Sequence, residues 1–194
     1  MRMRFDISRF VALSCAVTWC TSLCAAPLSA QTVSDPVFGL SVTPPSGYAA
    51  MLLTPMPSRN AIIVVQRRDP NDAGCYIEFE VGDAGSERTQ SALNARAADN
   101  GWIEKVRLEV AARYDIHTIE AIELSGVRGT AITGDRQYNI PVSATRTRKY
   151  TREWYVILDT AKGRTTVECT APRLEFEALQ PEFEAILRTI SLPK

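Results

Sequence analysis

The strand-forming character of the chain is clearest in residues 61–81, which read AIIVVQRRDPNDAGCYIEFEV. The run Ala61–Arg67 is continuous and β-branched, as expected for a centrally buried strand. Cys75–Val81 alternates between side chains that suit the two faces of a sheet. The segment 69–74 between them is rich in Asp, Asn, Pro and Gly, which form turns. The stretch therefore predicts two strands joined by a turn.

Further strands are predicted on both sides of this stretch. The turn Ser125-Gly126 and the segment 160–163 indicate two hairpins, and a polar loop is expected over Gly134–Ser143. The predicted strands are Val37–Thr43, Tyr48–Leu53, Ile116–Leu124, Val127–Thr133, Arg152–Leu158 and Thr165–Thr170.

Two helical regions complete the predicted domain. Ser86–Arg113 should form two helical pieces broken near Asp99-Asn100-Gly101, and Pro181 suits the start of a C-terminal helix. Each region has one apolar stripe at helical spacing, which we interpret as core. The stripes are Trp102, Val106, Val110 and Tyr114, then Phe176, Leu179, Phe183, Ile186, Leu187 and Ile190. One-sided helices and hairpin-linked strands predict an α+β fold, a largely antiparallel sheet packed with helices.

Residues 1–30 have the three parts of a secretory signal peptide. A start with three arginines precedes the apolar run Phe10–Cys24, which is shorter than the ~20 residues of a spanning helix. Ala30 then offers a small residue for cleavage before Gln31. We expect a periplasmic or secreted protein whose single domain is residues 31–194, without stable membrane insertion after signal removal. An uncleaved membrane anchor is the alternative.

The charge of the expected domain gives no reason to look for nucleic acid. Excluding residues 1–30 removes three of the 22 basic and one of the 22 acidic residues. The remaining net charge of about −2 favours neither nucleic acid nor an anionic membrane as a partner.

The cysteines indicate a disulfide. Three of the five lie within the signal peptide, which leaves Cys75 and Cys169. An even pair in an oxidising compartment is most simply a structural bridge. A reactive thiol or a metal pair is the alternative, although one histidine in the whole chain supplies few further metal ligands.

The order of elements resembles the PsbP-like group, which includes periplasmic DcrB-type lipoproteins and extrinsic proteins of photosystem II. The resemblance covers most of residues 36–192, although the chain lacks a lipoprotein signal. It implies an α/β/α sandwich and a mostly non-enzymatic binding or assembly role, with no catalytic residues to carry over. It rests on Pro44-Pro45-Ser46-Gly47-Tyr48, Gly126-Val127-Arg128-Gly129, the strand 163–169, and a last helix with Phe176, Phe183 and Ile186-Leu187.

Residues that could carry catalysis are few. His117 is the only histidine, no Gly-x-Ser-x-Gly motif accompanies it, and we expect it at the surface or partly buried. A carboxylate pair could hydrolyse glycosides without histidine. Glu78 with Glu80, and Glu153 with Glu168, are the candidates, but they are typical of solvated strand faces. We expect no catalytic residue, metal or cofactor.

The candidate ligand site is a basic, aromatic-edged strip around the start of the late hairpin. Alternation in a regular strand places Arg146, Arg148, Arg152 and Trp154 on one face. Arginine could there bind a phosphate, a carboxylate or an acidic partner. A charged edge strand that discourages aggregation is the structural alternative.

These observations favour a non-enzymatic, exported binding or assembly module. Its partner is expected to be an envelope protein or a small anionic ligand. A periplasmic hydrolase using a carboxylate pair is the main alternative, and a small-molecule carrier with an apolar cavity between helix and sheet is a third.

Overall fold

The computed structural model describes residues 31–68, 73–82, 89–137 and 151–193, so the predicted signal peptide lies outside the described residues. Nine strands and three helices occur in this part of the chain. The strands are β1 (Val33–Ser34), β2 (Ser41–Val42), β3 (Tyr48–Leu53), β4 (Ala61–Arg67), β5 (Gly74–Val81), β6 (Tyr114–Leu124), β7 (Val127–Arg136), β8 (Thr151–Thr160) and β9 (Gly163–Pro172). The helices are α1 (Gln90–Ala97), α2 (Asn100–Ala111) and α3 (Phe176–Arg188).

Seven strands form one antiparallel sheet in the order β3-β4-β5-β9-β8-β7-β6. Strands β3 to β5 form one meander and β6 to β9 a second one. The two meanders meet where β5 pairs with β9, and β1 and β2 form a separate small ladder. The predicted α+β fold with a largely antiparallel sheet is confirmed.

The predicted disulfide joins the two meanders. Cys75 of β5 lies directly opposite Cys169 of β9 in the strand register, and the two residues are disulfide-bonded. Both are fully buried beside neighbours such as Ile77 and Val167. The bridge therefore closes a separation of 94 residues inside the core.

Helices cover both faces of the sheet, as the PsbP-like resemblance implies. Helix α3 packs its apolar stripe on the face that carries Cys75 and Val156, within the larger core cluster. On the opposite face, α2 packs Val106 and Val110 against Ile157 and neighbouring residues in a smaller cluster. Adjacent residues of β8 point to opposite faces of the sheet, so this strand contributes side chains to both clusters.

The break between the first two helices is as predicted, because Asp99 caps α2. Its Oδ1 accepts a hydrogen bond from the backbone N–H of Trp102 at 3.0 Å, and its own backbone is extended. The predicted turn between β6 and β7 is also confirmed. Ser125 and Gly126 have φ values of 52° and 81°, which suit a two-residue hairpin turn.

Three local predictions are wrong. Val37 does not begin a strand, because Asp35 Oδ1 accepts hydrogen bonds from the N–H groups of Val37 and Phe38 and holds a turn there. Tyr114 begins β6 rather than continuing the helix stripe, although it packs in the same small cluster. Pro181 lies inside α3 instead of starting it, since buried residues on both sides of the proline hold one continuous helix.

The predicted loop over Gly134–Ser143 is wrong at its start, and its residues 138–143 lie outside the described residues. Gly134–Arg136 continues β7, where Gly134 and Asp135 pair with Glu153 and Arg152 of β8. Within the described residues, no helix has the length and apolar composition needed to cross a membrane.

Replacement of Cys75 and Cys169 by alanine together should lower the free energy of unfolding. The bridge closes a long loop, for which chain entropy gives a ceiling of about 4–5 kcal/mol. Urea denaturation of the variant and the wild type measures the difference. Before unfolding, the wild-type mass without reductant should be two hydrogens lighter than after reduction. Two alkylatable thiols in the native wild type would contradict the bridge.

Candidate functional site

The predicted arginine–aromatic strip lies only partly within the described residues. Arg146 and Arg148 are outside them. Arg152 and Trp154 lie on the same face of β8, the face packed against α3. Trp154 is 5% exposed and belongs to the larger core cluster, and the Arg152 side chain is 16% exposed. At these two positions the strip is part of the layer between sheet and helix, and its ligand-binding role stays a prediction.

Arg152 is held in that layer by two carboxylates. Its Nε donates to Asp135 Oδ1 at 2.9 Å, and its Nη1 donates to Glu177 Oε1 at 3.0 Å. The second oxygen of Asp135 faces His117 Nε2 at 3.0 Å and Arg173 Nε at 3.4 Å. Burial acts to raise the pKa of Asp135, but the hydrogen bonds from Arg152 and His117 outweigh it and hold that pKa below its usual value. The cluster ties three strands to the start of α3.

The only histidine is thus the partner of a carboxylate, and it is partly exposed as expected. Cys75 and Cys169 are joined to each other in the disulfide. Among the described residues, no three His, Cys, Asp or Glu side chains come together as metal ligands.

A buried carboxylate network lies on the opposite face, which α2 covers. The Glu153 side chain is 0% exposed, and its Oε2 accepts a hydrogen bond from the Tyr114 hydroxyl at 2.7 Å. Arg136 Nη1 donates to Glu153 Oε1 at 3.3 Å and to Glu168 Oε1 at 2.6 Å. The expectation that Glu153 lies on a solvated strand face is therefore wrong, because Tyr114 and helix α2 close this part of the sheet.

This network brings together one of the two predicted carboxylate pairs. Burial, and then the charge of Glu168, raises the pKa of Glu153. A neutral acid beside an ionised carboxylate is the arrangement that acid–base hydrolysis uses. Here, however, Arg136 is bonded to both groups and Glu153 has no exposed side-chain surface. We interpret the network as structural.

The second predicted pair, Glu78 and Glu80, lies on β5 and is joined by a cation. Arg59 Nε contacts Glu78 Oε2 at 2.6 Å, and Arg59 Nη1 contacts Glu80 Oε2 at 3.2 Å. Both carboxylates are partly exposed, as expected of a solvated strand face. Their ion pairs with Arg59 assign them a role in holding the β4–β5 pair together.

An open groove runs between α3 and the edge strand β6. It has a volume of about 270 Å³. The floor is apolar, and the lining also includes the charged residues Glu120, Glu123, Glu184 and Arg188. Its lining residues are Glu120, Ala121, Ile122, Glu123, Leu124, Ala131, Trp154, Gln180, Glu184, Leu187 and Arg188. All of them lie on regular elements of the fold, so the groove is preformed.

A second cavity of about 300 Å³ lies between α1 and the turn that joins β8 to β9. Asp159 accepts from Arg96 Nη2 at 2.7 Å and from Arg164 Nε at 2.8 Å. Both guanidinium groups lie over the Trp102 ring, at 4.4 and 5.8 Å from its centroid. Because one carboxylate already joins both cations, we interpret this cluster as a clamp between α1 and the sheet.

Comparison with known proteins shows which fold this chain resembles. No protein-family model matches the chain, and no curated protein matches it in sequence. CyanoP, the cyanobacterial PsbP of Synechocystis sp. PCC 6803, superimposes with a TM-score of 0.54 at 11% identity. The alignment covers 92% of this chain and 97% of CyanoP. The fold is PsbP-like.

Two further solved structures are similar. A protein from Bacteroides thetaiotaomicron VPI-5482 matches with a TM-score of 0.51 at 12% identity, over 86% of this chain and 50% of that one. LpqN of Mycobacterium tuberculosis, which is described as involved in cell envelope biogenesis, aligns at a TM-score of 0.45 and 14% identity, over 84% of this chain and 91% of LpqN. The LpqN match is too distant to support a conclusion. The PsbP-like likeness concerns the fold and assigns no ligand.

Sequence reasoning missed both the groove and the buried state of Glu153. Glu153 alternates with apolar residues in β8 just as a solvent-facing residue does, and only the pairing of distant strands shows that Arg136 and Tyr114 reach it. The groove depends on where α3 lies across the PsbP-like sheet, which no local pattern in the sequence records.

Glu153→Gln tests the buried network. With a raised pKa, the folded protein binds the Glu153 proton more tightly than the unfolded chain. The contribution of Glu153 to stability is therefore greatest below its usual pKa of 4.5 and is lost as the pH rises through the folded pKa. Glutamine does not ionise and still accepts from Tyr114, so the variant should lack this loss of stability. Urea denaturation from acidic to neutral pH measures it. Glu104→Gln, at an exposed position on α2, is the control. Parallel pH profiles for wild type and Glu153→Gln would contradict the assignment.

Proposed function

We propose that this chain is an exported, non-enzymatic protein of the periplasm or cell surface that binds another envelope component. The observation that carries the proposal is the preformed groove between α3 and β6, which combines an apolar floor with charged lining residues. Binding sites commonly have this composition. The PsbP-like resemblance, whose group consists mostly of binding or assembly factors, supports the same reading.

The side chains that could take part in catalysis favour a binding function over an enzymatic one. The sole histidine is paired with Asp135, and the two described cysteines form a disulfide. Glu153, whose pKa is raised, is bridged to Glu168 by Arg136 beneath α2. Each group therefore has a structural partner in the fold. The groove, by contrast, is open to solvent and uses none of these groups.

Site-specific photo-crosslinking tests the proposal. A photoreactive amino acid replaces Gln180, which lines the groove, in the protein produced in its own cells. The matched control replaces Leu108, which is 68% exposed on α2. The Gln180 position should give one discrete adduct in the envelope fraction after irradiation, and the Leu108 position should not. A side chain that narrows the groove, Ala131→Leu, should reduce the adduct.

The same preparation tests export. Protein from the envelope fraction should begin near Gln31, since residues 1–30 are proposed to be removed. An intact N-terminus with cytoplasmic recovery would contradict export. An adduct at Leu108 with none at Gln180 would contradict binding through the groove.

A further inference from the structure

We propose that the groove receives a lysine or arginine side chain from an extended polypeptide segment that pairs with the outer edge of β6. This inference rests on the proposed binding function and names the chemistry of the partner. Three features of the groove lead to it: its charge, its size and its position at the end of the sheet.

The charge of the groove favours a cation. Its lining contains three glutamates and one arginine. Arg188 Nη2 is already paired with Glu184 Oε2 at 2.9 Å, and Glu123 lies on the opposite face of β6 from Glu120, where it contacts Arg128 at 3.5 Å. Glu120 forms no ion pair with any described residue. Within the described part of the chain the Glu120 carboxylate therefore has no ionic partner, and it would attract a cation over a short distance.

The floor of the groove suits the stem of a long basic side chain. Ala131 and Leu187 are nearly buried there, and Ile122 and Leu124 add further apolar surface. Lysine and arginine bury their methylene stems on such surfaces while their charged heads stay at a polar rim. Trp154, which is 5% exposed, adds further apolar surface to this floor.

The size of the groove argues against a larger free ligand. Its volume of about 270 Å³ lies below the roughly 300–1,000 Å³ of sites that enclose a drug-sized molecule. A space of this size accommodates an anchoring side chain. The remaining contacts of such a partner must then come from outside the groove.

The edge of β6 supplies those contacts. Among the described strands, β6 pairs only with β7 and ends the sheet, so no described strand pairs with its outer backbone groups. A segment added there would send every second side chain to the α3 side, where the groove lies. Asp115, Glu120 and Glu123 make this edge acidic. Acidic edges repel acidic strands and thereby select a basic one.

Titration of the purified protein with short peptides, followed by backbone and indole nuclear magnetic resonance, tests the proposal. The probes are a capped eight-residue peptide that alternates lysine with valine and threonine, its glutamate counterpart, and capped lysine alone. The lysine peptide should shift signals of residues 118–124 and 180–188 and of the Trp154 indole, and leave α2 unchanged. The glutamate peptide should not bind.

Variants that change the charge of a single residue identify the site. Glu120→Lys should weaken the lysine peptide about ten-fold or more, and Glu120→Gln should weaken it less. Glu104→Lys, an exposed change of the same charge on α2, should leave affinity unchanged. Equal binding of both peptides, or shifts confined to other surfaces, would overturn the proposal. Capped lysine binding as tightly as the peptide would overturn its polypeptide part.

Failure of this inference can be told from failure of the proposed function. If the peptides do not bind while the Gln180 position still gives an adduct, the groove binds a partner of different chemistry. If both experiments fail, the groove is not the binding surface.

Discussion

The pairing of β5 with β9 is the contact on which the rest of the structure depends. Every other neighbouring pair in the seven-stranded sheet consists of consecutive strands, whereas β5 and β9 bring together two meanders from distant parts of the chain. Bringing such distant segments of the chain together has a high cost in chain entropy. The disulfide between Cys75 and Cys169 lies within this ladder and reduces that cost by restricting the unfolded chain. Core residues on both strands then form the surface on which α3 packs.

The position of α3 in turn creates the groove. The helix lies closest to β9 in the middle of the sheet and does not extend over the whole of β6. Ala131 is a small residue at the point where a larger one would fill the space between Trp154 and the edge strand. The Arg152 cluster with Asp135 and Glu177 holds the first turn of α3 to the strands beside this space. The groove therefore results from the way α3 packs on the assembled sheet and not from a local sequence motif.

Much of the fold could be predicted from the sequence because its signals are local. Alternation in Cys75–Val81, the turn at Ser125-Gly126 and the cap at Asp99 each act over a few residues, and each appears in the structure as expected. Strand order and buried polar contacts depend on distant pairing. The sequence therefore could not distinguish Glu153, which is buried beside Arg136, from a solvent-facing glutamate. The groove was missed for the same reason, since it joins β6 to a helix more than 50 residues later.

We propose that the edge formed by β6 and α3 is the binding surface of this PsbP-like fold. Hydrogen–deuterium exchange tests it most directly, by comparing the purified protein with the protein in its own envelope fraction. Slower exchange is expected in residues 118–124 and 180–188, because a partner strand would pair with the outer backbone of β6 and cover the groove. Unchanged exchange at both segments, with new protection over α2 instead, would contradict it.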